Sequence, residues 1–132
     1  DINCLEMGDK SKPALLLIHG FGASAYHFRY NIPALAKDYH VYAFDKLGFG
    51  LSSKPIVEYS ADVWRDQAVD FITEVIGKPT TIAGNSLGGF TALYAGATEK
   101  AKPLIKSVIL INAAGRFKDP DAPAVSEEKN AF

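Results

Sequence analysis

The sequence predicts an α/β fold built as a three-layer sandwich, with helices on both faces of a mostly parallel sheet. Short apolar runs at residues 14–19, 40–44, 80–83 and 107–111 are continuous rather than alternating, as in strands buried on both faces. Stretches with helical spacing lie between them, and apolar strands alternating with helices make a parallel sheet. The chain also carries Gly84-Asn85-Ser86-Leu87-Gly88 where a strand must turn sharply into a helix.

Residues 2–7 are short and mixed, and Gly8-Asp9-Lys10-Ser11-Lys12-Pro13 is a turn. This stretch therefore reads as a strand joined by a hairpin-like turn to the strand at 14–19. His19-Gly20-Phe21-Gly22 leaves that strand as a tight loop. Residues 24–37 read as partly helical, with Phe28, Ile32 and Leu35 on one face. Pro33 forces a kink or a fresh start near Asn31. A strand at 40–44 runs into the glycine-bearing loop 45–53. Ser60 or Asp62 caps the next helix, in which Trp64, Ala68, Phe71, Ile72, Val75 and Ile76 recur at helical spacing. Gly77 and Pro79 end it. The strand at 80–83 then leads through Ser86 into a helix opening at residues 88–95 and ending near Glu99 or Lys100. Residues 101–106 connect to the last strand, 107–111. Residues 116–132 show no steady period and read as loop or linker.

One domain fits 132 residues, and an apolar share of 48% is ordinary for a globular chain. A formal charge of -1 argues against a nucleic-acid surface. Three histidines and one cysteine leave little for a metal, and neither metal nor cofactor is expected. Cys4 alone forms no internal disulfide. The apolar runs are too short to span a bilayer, and no secretory signal is read at the start. The loop 45–53 lacks the spacing and the Lys-Ser/Thr pair of a phosphate-binding loop.

Three motifs in order, His19-Gly20-Phe21-Gly22, Asp45-Lys46-Leu47-Gly48-Phe49-Gly50-Leu51-Ser52 and Gly84-Asn85-Ser86-Leu87-Gly88-Gly89, resemble those of the α/β-hydrolase superfamily. The match covers residues 2–115. With Asp62-Val63-Trp64-Arg65-Asp66-Gln67 and Val75-Ile76-Gly77-Lys78-Pro79, the chain looks most like the pheophytinase and chlorophyll dephytylase group. Carbon–carbon bond hydrolases of the same superfamily share the Asn-Ser-Met/Leu-Gly-Gly turn. The resemblance implies the N-terminal half of an α/β-hydrolase fold. Residues 1–115 would be partial core, and 116–132 would lead toward a substrate-selecting cap domain. The strand at 108–111 has no following helix to cover it, which also predicts further chain or a partner over that sheet edge.

Ser86 is the candidate nucleophile, against the plainer reading of a serine that caps a helix. Gly84, Asn85 and Gly88 shape its turn. The resemblance places oxyanion-hole amides at Phe21 and Leu87, with His19, Gly20 and Gly22 shaping the adjacent loop. A hydroxyl needs a histidine base and a carboxylate to orient it, and both follow the nucleophile in chain order. No histidine follows Ser86 here. His27 and His40 read as surface or packing residues, and Asp119 and Asp121 as ordinary loop carboxylates. Phe21, Phe49, Leu87 and Phe90 read equally as an apolar entrance or as core.

The expected activity is a serine hydrolase cleaving a small carboxylic ester with a bulky apolar part, a phytyl ester of the chlorophyll type being the subgroup's implication. The expectation is an active full-length protein and an inactive isolated stretch 1–132. Alternatives are carbon–carbon bond hydrolysis and a non-catalytic accessory subunit. The resemblance further implies membrane-surface contact through the cap, and a plastid or cytoplasmic rather than secreted protein.

Overall fold

The computed structural model describes residues 1–115. The irregular segment expected from 116 onward, with Asp119 and Asp121, lies outside the described residues. Five strands form one sheet: β1 (Cys4–Met7), β2 (Ala14–Ile18), β3 (His40–Phe44), β4 (Thr80–Asn85) and β5 (Ile105–Ile111). Their order across the sheet is β1-β3-β2-β4-β5. All neighbours are parallel except β1, which runs antiparallel to β3.

Alternation along the strands explains the layers. Leu16, Ile18, Tyr42, Phe44 and Ile82 point to one face, where they meet Ala68, Phe71, Ile72, Ala92 and Ala95 from the helices. Leu15, Leu17, Val41, Ala43 and Ala83 point to the other, against Ala25, Phe28 and Ile32. The register matches this division, pairing Leu16 with Tyr42 and Ile82, and Leu17 with Ala43 and Ala83. Each fully buried Leu, Ile or Phe contributes about 1.5–3 kcal/mol.

Each helix has a local cause. Helix α1 (Asn31–Leu35) starts where the fresh start was expected, preceded by a 3-10 turn at Ala25–Phe28. Pro33 falls in its first turn, where a missing N–H costs no helical bond. Helix α2 (Ala61–Asp70) is capped by Ser60, whose side chain accepts from Val63 N. It continues as a π-helical stretch, Phe71–Ile76, which the spacing did not announce. Gly77, at φ 63°, ends it with its N–H donated to Ile72 O. Helix α3 (Leu87–Gly96) packs against α2 and against β4 and β5, and stops a few residues short of the expected Glu99.

Two expectations about the strands change. The hairpin between residues 2–7 and 14–19 does not form, because β1 pairs with β3 and not with β2. Both edges of β2 are taken by the parallel strands β3 and β4, which bury all five of its residues. The mixed, exposed β1 is left to the rim. The last strand also begins two residues early, at Ile105, after a short 3-10 turn at Lys102–Leu104. On β5, Ile109, Leu110 and Ile111 remain exposed at 47%, 40% and 43%.

Candidate active site

The carboxyl ends of β2, β3, β4 and β5 lie side by side, as the pairs Ile18–Phe44, Ile18–Gly84 and Asn85–Ile111 require. In open parallel sheets this edge is where sites form. The loops after β2, β3, β4 and β5 therefore meet there, however far apart they are in sequence.

Ser86 stands between β4 and α3 at φ 52° and ψ -120°, a backbone conformation that L-residues rarely adopt. Its side chain makes no capping bond to α3, so the plain reading of a helix-capping serine fails. The backbone is what is tied down. Ser86 N donates to Ile111 O, and Ser86 O accepts from Gly89 N, Phe90 N and Ala114 N. The positive end of α3 lies at this residue, equivalent to roughly half an elementary charge. The flanking glycines have a steric cause. A Cβ on Gly88 would collide with Ile18 O and come 2.6 Å from His19 O. A Cβ on Gly84 would collide with Gly88 O. Two bare backbones are thus pressed together so that β4 can turn into α3 beside β2.

The loop after β2 lies against this turn. A Cβ on Gly20 would be 3.3 Å from both Ser86 Cβ and Asn85 Oδ1. His19 orients the loop. Lys46 N donates to His19 Nε2 at 2.9 Å, so that nitrogen is the acceptor. The proton is then on Nδ1, which donates to Gly20 O at 2.7 Å. His19 is fully buried, and burial holds its pKa below the ordinary histidine value. Phe21, next in the loop, is 77% exposed, with its ring edge-on to Phe49.

The loop after β3 is organised by Asp45, which is buried. Its carboxylate accepts from Ala25 N, Leu51 N and the Asn3 side chain. Burial alone would raise its pKa, but these three donors outweigh that and lower it. Gln67 and Trp64 of α2 fasten the same loop. Gln67 accepts from Leu47 N and donates to Asp45 O, and Trp64 Nε1 donates to Leu47 O.

The family model described as alpha/beta hydrolase fold matches residues 13–131. The chain belongs to that family. This alpha/beta hydrolase chain is 37% identical to a chloroplastic pheophytinase of Arabidopsis thaliana, over 82% of this chain and 29% of the relative. It is 40% identical to a 2-hydroxy-6-oxo-6-(2'-aminophenyl)hexa-2,4-dienoic acid hydrolase of Metapseudomonas resinovorans, over 84% of this chain and 38% of that one. Among solved structures, a membrane phospholipase A described as a bacterial virulence factor superposes with a TM-score of 0.82 and 36% identity. That match covers 88% of this chain and 37% of the phospholipase. The chain thus spans about a third of the length of these relatives.

The remaining residues of the hydrolase chain sort by position. Leu87 opens α3 directly after Ser86, while Phe21 sits one residue beyond Gly20 on the neighbouring loop. Leu87, Phe49 and Phe90 are half-buried. Gly22 adopts φ 67° in the turn that closes the β2 loop. None of the three histidines hydrogen-bonds Ser86 among the described residues. His19 has both ring nitrogens occupied. His40 opens β3 at the opposite end of the sheet, with Nε2 on Glu6 Oε1 at 2.7 Å. His27 is exposed and lines a cavity of about 200 Å³ beside Asn85 and Ile111.

Two features escape sequence reasoning. Asn112, at φ 46°, turns the chain after β5 so that Ala113 and Ala114 back the Ser86 turn. Lys46 is fully buried, and its Nζ has no hydrogen-bond partner among the described residues.

Proposed function

We propose that this chain carries the nucleophile and oxyanion hole of a serine hydrolase acting on carboxylic esters with a bulky apolar part. The observation that carries the proposal is Ser86, held at positive φ at the start of α3 with no capping bond from its hydroxyl and no hydrogen bond to a histidine among the described residues. Backbone strain of this kind costs about 1–3 kcal/mol and marks functional positions. In the proposed reaction Ser86 Oγ attacks the ester carbonyl and the alcohol leaves. Water then releases the acid from the acyl-enzyme. The Phe21 and Leu87 amides stabilise the oxyanion, a role supported by the packing of the Gly20 loop on Ser86. The histidine base and its carboxylate come from sequence beyond the described residues. The exposed Ile109, Leu110 and Ile111 of β5 support a further strand or partner on that edge.

The apolar substrate preference is supported by Phe21, Phe49, Leu87 and Phe90 around the turn, and a phytyl-type ester by the likeness to a pheophytinase. Cleavage of a carbon–carbon bond is the second reading, favoured by the 40% identity to the hexadienoic acid hydrolase. The test uses the full-length protein with three substrates: a phytyl ester, a short p-nitrophenyl ester and a dienoic keto acid. The ester reading expects turnover of both esters, faster for the phytyl ester and abolished by Ser86→Ala. Turnover of the keto acid alone would replace it with the second reading. Undiminished turnover by Ser86→Ala would refute both.

A further inference from the structure

Lys46 is the most unusual buried group among the described residues. It is fully buried, and no side chain or backbone oxygen among the described residues takes its ammonium. What it has instead is two aromatic faces. Its Nζ lies 5.4 Å from the centre of the Phe49 ring and 5.0 Å from that of Trp64. The two rings are themselves 5.8 Å apart. A cation near ring faces is attracted by their negative quadrupole, more strongly when water is excluded.

The rings lead directly to the site. Phe49 makes edge contacts with His19 at 5.7 Å and with Phe21 at 5.5 Å. Tyr59 stacks behind Trp64. Lys46 also touches the Gly20 loop through its backbone, since its N–H fixes the His19 tautomer. One residue therefore grips the His19–Phe21 stretch twice, by its amide and through Phe49.

We propose that Lys46 is a positioning residue whose buried ammonium holds Phe49 against Phe21 and His19, keeping the Phe21 amide aimed at the oxyanion. The inference rests on the serine-hydrolase reading above. Its chemistry makes it pH-dependent. Burial lowers the Lys46 pKa to about 8, so the charge is lost just above neutrality. The neutral amine loses its attraction to the rings and Phe49 is freed. The titratable groups around Lys46 do not replace it. His19 is neutral with both nitrogens engaged, and Asp45 spends its carboxylate on Ala25, Leu51 and Asn3. Tyr59 hydrogen-bonds Pro55 O, while on α2 Arg65 pairs with Asp62 and Asp66.

The test compares wild type, Lys46→Met and Lys46→Arg in the full-length protein, with p-nitrophenyl butyrate as the probe. Met has similar length and no charge, whereas Arg stays charged throughout. Wild-type kcat is expected to fall about tenfold as pH rises through about 8, with KM unchanged, since misplacing a reacting group by about 1 Å can cost two orders of magnitude. Lys46→Met should sit at the low level at every pH, and Lys46→Arg should keep the high level past pH 8. A Lys46→Met profile that matches wild type overturns the inference. A second readout needs no variant to be active. Emission from Trp64 should shift with a midpoint near 8 in wild type, and the absence of that step overturns the inference too. Wild type that neither hydrolyses the ester nor reacts at Ser86 with a fluorophosphonate refutes the underlying reading instead.

Discussion

Replacing Ser86 by glycine should make the protein more stable than replacing it by alanine. At almost any ordinary position the order is the reverse, because glycine loses about 0.5–1 kcal/mol more backbone entropy on folding. Ser86 sits at φ 52° and ψ -120°, where a Cβ is strained and glycine is not. The strain is worth about 1–3 kcal/mol. Offsetting it by the entropy cost leaves Ser86→Gly ahead of Ser86→Ala by up to about 2.5 kcal/mol. Losing the hydroxyl adds little in either variant, since it makes no capping bond. Equilibrium urea unfolding of the two full-length variants measures the difference. Both variants should be inactive. If Ser86→Gly is the less stable of the pair, the turn is not strained and the reasoning that singles out Ser86 fails.

Gly88→Ala drives a methyl group into Ile18 O and to 2.6 Å from His19 O, and should destabilise by about 3 kcal/mol in the same unfolding assay. Asp45→Asn presents an amide to three donors that need an acceptor, and should cost about 2–3 kcal/mol at pH 7. Because the Asp45 pKa is lowered on folding, its contribution is complete above the ordinary carboxylate range and is lost as pH falls through the folded value. The gap between wild type and Asp45→Asn should therefore narrow in acid. Lys46→Met should increase stability by about 3–4 kcal/mol at pH 7, at about 1.4 kcal/mol per unit of a pKa lowered from 10.5 to about 8. The ammonium is charged in both states below about 8, so the gain is full there. It should fade as pH climbs toward the ordinary lysine value of 10.5, which denaturation across pH 7–10.5 would record.

The sequence makes local features legible and non-local ones obscure. Gly84, Ser86 and Gly88 announce their turn because they fall within five residues, although what a Cβ on Gly88 would strike, Ile18 O, belongs to the distant β2. Continuous apolar runs likewise reveal β2, β3 and β4. The partner of β1 is hidden, because a six-residue turn invites a hairpin while the true neighbour lies more than thirty residues away. The burial of Asp45 and Lys46 is hidden for the same reason. The groups that define them, Ala25, Asn3 and Trp64, meet them only once the sheet has assembled. The π-helical end of α2 and the positive φ of Asn112 carry no distinctive spacing at all.

The central claim is that Ser86 is the activated nucleophile of a hydrolase. Treating the full-length protein with a fluorophosphonate, then mapping the adduct by peptide mass spectrometry, tests it most directly. The account predicts one stoichiometric adduct on Ser86, absent after heat denaturation and absent in Ser86→Ala. An adduct on another residue, or a folded protein that stays unlabelled after prolonged exposure, would contradict it.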